Sequence, residues 1–148
     1  MNHATSASSV ATPRHLWVVG VLALLWNSIG ALDYVMTQTR NASYMSQFTP
    51  EQLAYFYAFP AWVVSTWALS VWGGVLGSVL LLFRSRWAVT VFSVSLATMV
   101  ITTIYNFGLT NGVEIMGTFG VVFSMVIFAI AVALFLYARH LVRVGVLR

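Results

Sequence analysis

Four apolar stretches, about 16–36, 58–83, 87–107 and 115–137, fill most of this 148-residue chain, and Asp33 is the only charged residue inside any of them. A helix rises about 1.5 Å per residue, so about 20 residues match a hydrocarbon core roughly 30 Å thick. Soluble core helices would not all reach that length. The pattern predicts an all-α membrane protein: a four-transmembrane-helix bundle, with the lipid bilayer as its first partner. Composition agrees, because 7% charged residues is far below the roughly 25% of a soluble domain.

The charges set an orientation. Arg14, Arg84, Arg86, Arg139, Arg143 and Arg148 fall at the first end, the middle loop and the last end of the pattern, whereas Arg40 alone occupies the opposite loops. By the positive-inside rule both termini are expected in the cytoplasm. Asp33, Glu51 and Glu114 lie near or in the outer loops, which predicts a mildly acidic outer rim. The arginines are spread over both ends and the loops of the pattern rather than gathered on one soluble face, so no nucleic-acid partner is expected.

Residues 1–13, rich in Ser, Thr and Ala, read as a disordered cytoplasmic tail ahead of a 14–148 transmembrane domain. A cleavable leader ending near Ile29-Gly30-Ala31 is disfavoured, because the first stretch is long enough to span and carries Trp26 and Asn27. In the first outer loop, Thr49-Pro50-Glu51-Gln52 orders a capping hydroxyl, a first-turn proline and a capping-box glutamine. A short interfacial helix is expected there. Its continuation Leu53-Ala54-Tyr55-Phe56-Tyr57-Ala58-Phe59 is aromatic enough to anchor in the membrane interface, with an aromatic lid as the sharper reading, before Pro60 redirects the chain. Asn111 and Glu114 have capping-box spacing at the start of the fourth span. The glycosylation acceptor pattern Asn41-Ala42-Ser43 is assigned no role.

Lipid tails are as apolar as leucine, so helices in a bilayer associate through close backbone packing and polar contacts. Ser70, Gly73, Gly74, Gly77 and Ser78 make span two the expected central helix, and Gly117 and Gly120 are expected to provide a packing surface on span four. Such surfaces serve either a second copy of the chain or partner membrane helices.

Polar groups inside the spans are candidates for function, because they are costly in hydrocarbon and turn toward the bundle or a cavity. Asn27 is the deepest, with an interhelical hydrogen bond as its simplest role. Ser95, Thr98, Thr102 and Asn106 form one stripe on span three, although Ser and Thr often bond only their own preceding turn. Asp33 lies near the C-terminal end of span one, where the helix dipole disfavours negative charge, and therefore needs a partner. Arg40 or a neighbouring tyrosine would be a structural one; a cation, a proton or a hydroxylated ligand would be a functional one. Trp26-Asn27 and Tyr105-Asn106, each followed shortly by glycine, hint at a duplicated hairpin with a site between its halves.

The segments Leu25-Trp26-Asn27-Ser28-Ile29-Gly30-Ala31-Leu32-Asp33-Tyr34, Phe48-Thr49-Pro50-Glu51-Gln52-Leu53-Ala54-Tyr55-Phe56-Tyr57 and Pro60-Ala61-Trp62 resemble a family of small four-span bacterial inner-membrane proteins. The resemblance covers nearly the whole chain after the tail. It implies a bacterial inner (plasma) membrane location, and a sugar-transporter label on some members implies a substrate class without implying residues. Small multidrug exporters also have four spans and a first-helix carboxylate, but theirs lies near the membrane middle, which sets them apart.

No histidine lies within a span, and imidazoles and carboxylates fall on opposite membrane sides, so an enzyme, a metal site and a cofactor are not expected. The chain has no cysteine, hence no disulfide or thiol chemistry. Two functions remain. One is a small-solute carrier, sugar-like and neutral in substrate, acting as a homo-oligomer and using Trp26, Asn27, Asp33, Tyr34, Trp62, Thr102 and Asn106. The other is an accessory or assembly subunit of a membrane complex.

Overall fold

The structure is a computed structural model and describes residues 10–148. Most of the tail expected over 1–13 lies outside the described residues. The described chain is all-helical: α1 (Arg14–Gln38), α2 (Ala42–Met45), α3 (Pro50–Tyr57), α4 (Ala61–Leu82), α5 (Trp87–Ile104), a π-helical turn (Tyr105–Leu109) and α6 (Gly112–Arg143). Four of these segments, α1, α4, α5 with its π turn, and α6, are long and apolar enough to cross a membrane. Leucines and tryptophans such as Leu22, Leu25, Leu69, Trp72 and Leu76 are exposed on the outside of the bundle, as a lipid-facing surface requires.

The connection between the first two spans follows its sequence signals. Thr49 Oγ1 accepts the Gln52 amide N–H at 3.2 Å while Gln52 Oε1 accepts the Thr49 N–H at 3.1 Å, a complete capping box with Pro50 opening α3. Pro60 then stands in extended conformation and opens α4 at Ala61, three residues later than the hydropathy boundary at 58. At Asn111 the matching expectation is not met. Its side chain makes no cap bond, and the Gln52 side-chain amide instead donates to the Ile115 carbonyl at 3.3 Å, tying α3 to α6.

Helix α4 packs between α1 and α5. Its small residues divide between the two neighbours. A side chain at Gly73 would meet Ser95 Cβ at 2.9 Å, and one at Gly77 would meet the Phe92 ring at 2.6 Å, so both glycines set the approach to α5. Ser95 Oγ donates to the Ser70 carbonyl at 2.6 Å across the same interface. On the α1 side, Gly74 leaves room for Asn27, and Ser78 accepts its amide at 3.3 Å.

Span four departs from expectation. Gly117 has φ +66° and ψ −177°, a conformation essentially reserved for glycine, and breaks the helix near its start. Nothing lies within 4 Å of a side chain built there, and the atoms nearest one at Gly120 belong to Met116 on the same helix. Neither glycine forms the helix contact expected of it. Between Gly112 and Leu134 no residue of α6 is fully buried.

The packed core lies at the arginine-rich end, where Leu16, Leu81, Ala88, Phe92, Leu134, Ala138 and Leu141 meet. The last residues fold back beneath the α4–α5 turn. Arg86 N–H donates to the Arg148 carbonyl and Arg148 N–H to the Arg84 carbonyl, each at 2.9 Å, which buries Val146 and Leu147 against the core. The bundle is therefore sealed at one end and loosely packed at the other.

Candidate functional site

The loose end encloses a chamber of about 580 Å³ between the four spans, roofed by α2, α3 and their connection. Ligand pockets commonly have volumes of roughly 300–1,000 Å³. One wall is polar: Asn27 from α1, Ser70 from α4, and Thr102 and Asn106 from α5 and the π turn. Asn27, Thr102 and Asn106 are fixed by local bonding. Asn27 Nδ2 donates to the Ala23 carbonyl at 2.8 Å as well as to Ser78, Thr102 Oγ1 donates to the Thr98 carbonyl at 3.0 Å, and Asn106 Nδ2 donates to the Thr102 carbonyl at 3.0 Å. Thr66 and Thr102 share a further hydroxyl bond at 3.0 Å between α4 and α5. Thr98, Thr102 and Asn106 thus bond their own preceding turn, Thr102 bonds α4 as well, and Ser95 bonds only across.

Asn106 is held from above. Tyr55 Oη donates to Asn106 Oδ1 at 2.8 Å and shares a bond with Thr110 Oγ1 at 2.7 Å, and burial raises the Tyr55 phenol above its ordinary pKa. Gly112 is required beside this pair, because a side chain there would collide with the Asn106 carbonyl oxygen and with Tyr55 Oη.

Asp33, half-buried near the C-terminal end of α1, accepts a 2.5 Å hydrogen bond from the Tyr44 hydroxyl. Asn41 builds this contact: its side chain caps α2 by accepting the Tyr44 N–H at 3.0 Å, which turns Tyr44 back over α1. Burial, then the bond to Asp33 and its charge, push the Tyr44 phenol up to about 12. The alternative partner is engaged elsewhere. Arg40 adopts φ 52° at the end of α1 and lies 4.2 Å from the centroid of the Tyr57 ring, a cation–π contact. The Asp33–Arg40 pair is not formed.

The roof is aromatic. Tyr44 and Phe48, Phe48 and Phe56, Phe56 and Phe59, and Phe59 and Trp67 follow one another with ring centroids 6.1, 5.4, 6.2 and 6.2 Å apart. Phe48, Phe56, Phe59 and Trp67 all face the chamber. The remaining wall, from α6, is apolar. Phe119 and Phe123 line the chamber and are also exposed on the outside, as is Ile29 on α1, at 82%, 46% and 65% respectively. The chamber therefore opens sideways between α1 and α6, toward lipid, past the tilted pair Trp26–Phe123 with centroids 6.2 Å apart.

Of the residues singled out from sequence, Trp26, Asn27, Asp33, Thr102 and Asn106 line the chamber. Tyr34 and Trp62 do not: Tyr34 packs edge-on against Trp67 at 5.0 Å, and half-exposed Trp62 packs against Tyr105 at 5.4 Å. The two asparagines of the suspected repeat face the same space. Tyr44, Gln47, Phe48, Gln52, Trp67, Met99 and the α6 wall were missed; of these, Tyr44 and Phe48 carried a signal, their i,i+4 spacing after the capping residue Asn41. No group of three or more potential metal ligands occurs among the described residues. No protein-family model, curated protein or solved structure matches this chain.

Proposed function

We propose that this protein is a bacterial inner-membrane carrier that binds a small, uncharged, hydroxylated amphiphile in the chamber, with its arginine-rich end in the cytoplasm. The observation that carries the reading is the division of the chamber into a polar wall of Asn27, Ser70, Thr102 and Asn106 and an apolar α6 wall that opens to lipid. A solute with hydroxyls at one end and hydrocarbon at the other satisfies both. Charge argues for neutrality, because no arginine lines the chamber and the single carboxylate, Asp33, is already bonded by Tyr44. A free sugar would satisfy the polar wall alone. Transport as a carrier further requires the sealed core to open, and four helices make a narrow path, so the reading includes assembly of more than one copy.

A second reading has its own support. The exposed apolar face of α6 from Phe119 to Val126 would suit the partner helices of a larger complex, with the protein as an accessory subunit. The readings part on ligand binding, since only a ligand that binds the folded state stabilises it. Reconstituted in phosphatidylcholine nanodiscs, the protein is expected to show a concentration-dependent rise in Tm with octyl glucoside. Glucose is expected to have a weaker effect and octane alone none. No shift with octyl glucoside would favour the accessory reading.

A further inference from the structure

The arginine-rich end carries a second concavity that the chamber does not use. It has a volume of about 390 Å³ and lies between the start of α5 and the end of α6, lined by Arg86, Trp87, Thr90, Arg139, Val142 and Arg143. Three arginines thus line one space. Orientation in the membrane requires only that arginines sit on one side of it; it does not require them to share a pocket.

The neighbouring arginine shows the difference. Arg84 is spent on structure, its Nε donating to the Val146 carbonyl at 3.2 Å and a terminal nitrogen to the Val10 carbonyl at 3.4 Å. The side chains of Arg86, Arg139 and Arg143 are exposed and make no hydrogen bond or ion pair among the described residues. All three acidic side chains of the chain, Asp33, Glu51 and Glu114, belong to the opposite end of the bundle. The positive charge in this pocket therefore has no acidic side chain on its own membrane side to answer it.

We infer that this pocket binds the phosphate of an anionic phospholipid headgroup. Guanidinium forks match phosphate oxygens bidentately, and basic pockets between membrane helices on an arginine-rich side are suited to anionic headgroups. The surroundings select a lipid over a free anion. Trp87, 62% exposed, lines the pocket with the arginines and places an apolar ring there, the arrangement found where headgroups meet acyl chains. Val142 continues the apolar surface from the pocket along α6. A phosphodiester held by the arginines would leave its acyl chains on that surface.

The test is a titration of the full chain in phosphatidylcholine nanodiscs with increasing phosphatidylglycerol, read by Tm and by lipid retained in native mass spectrometry. Phosphatidylglycerol is expected to raise Tm and to remain bound. Arg139→Gln with Arg143→Gln should weaken retention by about five-fold per arginine. Arg14→Gln, which removes one positive charge at the same end of the bundle but outside the pocket, should leave retention unchanged. In pure phosphatidylcholine the double variant should melt with the wild type, which establishes that it folds. Equal weakening by Arg14→Gln, or full retention in the double variant, would overturn the inference. Stabilisation of the same size by inorganic phosphate would assign the pocket to a soluble anion and likewise overturn it.

Discussion

The side chain of Asn27 on α1 occupies the place that a side chain on Gly74 of α4 would need. The glycine is what lets a carboxamide lie between two membrane helices while it bonds both the Ala23 carbonyl and Ser78. Gly74→Ala should therefore displace Asn27 and destabilise the protein by about 1–3 kcal/mol. Gly108→Ala should be close to neutral, since its nearest contact would be Ile104 at an ordinary 3.7 Å. Melting temperatures of both variants in nanodiscs check this. Equal values would mean that Asn27 and Gly74 do not set the α1–α4 contact.

Asp33 and Tyr44 should behave as one unit. Asp33→Asn and Tyr44→Phe are expected to couple in a double-mutant cycle by about 0.5–3 kcal/mol, whereas Asp33→Asn and Arg40→Gln should be additive. The pair also imposes an alkaline limit. The Tyr44 phenol stands at about 12 in the folded protein, above the ordinary value of about 10 for an unfolded tyrosine. Its contribution is complete below about pH 10 and declines as pH rises through about 12. Stability measured across that window should fall more steeply in wild type than in Tyr44→Phe.

The four spans were legible because hydrocarbon imposes one length and one polarity on every crossing helix, and the signals at Thr49, Pro50 and Pro60 are local chemistry that tertiary packing did not override. The contacts of α4 were legible for a related reason, since Gly73, Gly74 and Gly77 matter through the side chains they lack. Gly117 and Gly120 carry the same small-residue signal, yet one breaks its helix and the other touches only its own turn. Spacing alone does not distinguish a glycine at a contact from a glycine at a bend. At the site, Asn27, Asp33, Thr102 and Asn106 stood out as polar groups in apolar helices. Of the roof, Phe56 and Phe59 belong to the aromatic run already read as a lid, but Phe48 and the α6 wall did not stand out, because Phe48, Phe119 and Phe123 look like any lipid-facing aromatic until the fold brings them around a common space.

Orientation admits a clean experiment, because the chain has no native cysteine. Single cysteines at Ser43 and Asn111 should react with an impermeant thiol reagent in intact cells, and one at Ser85 only after lysis. Labelling of Ser85 from outside would reverse the assignment of the arginine-rich end to the cytoplasm.

The chamber as a ligand site is the central claim, and the location of a bound amphiphile tests it most directly. An octyl glucoside analogue with a photoreactive diazirine in its alkyl chain, activated in nanodiscs and mapped by peptide mass spectrometry, should label chamber-lining residues such as Met99, Met116, Phe123 and Ile127. Excess octyl glucoside should compete the label away, and Thr102→Val with Asn106→Leu should reduce it while the protein remains folded. Label spread evenly over exposed residues outside the chamber such as Leu22, Leu69 and Val100, indifferent to competitor and to both substitutions, would contradict the account.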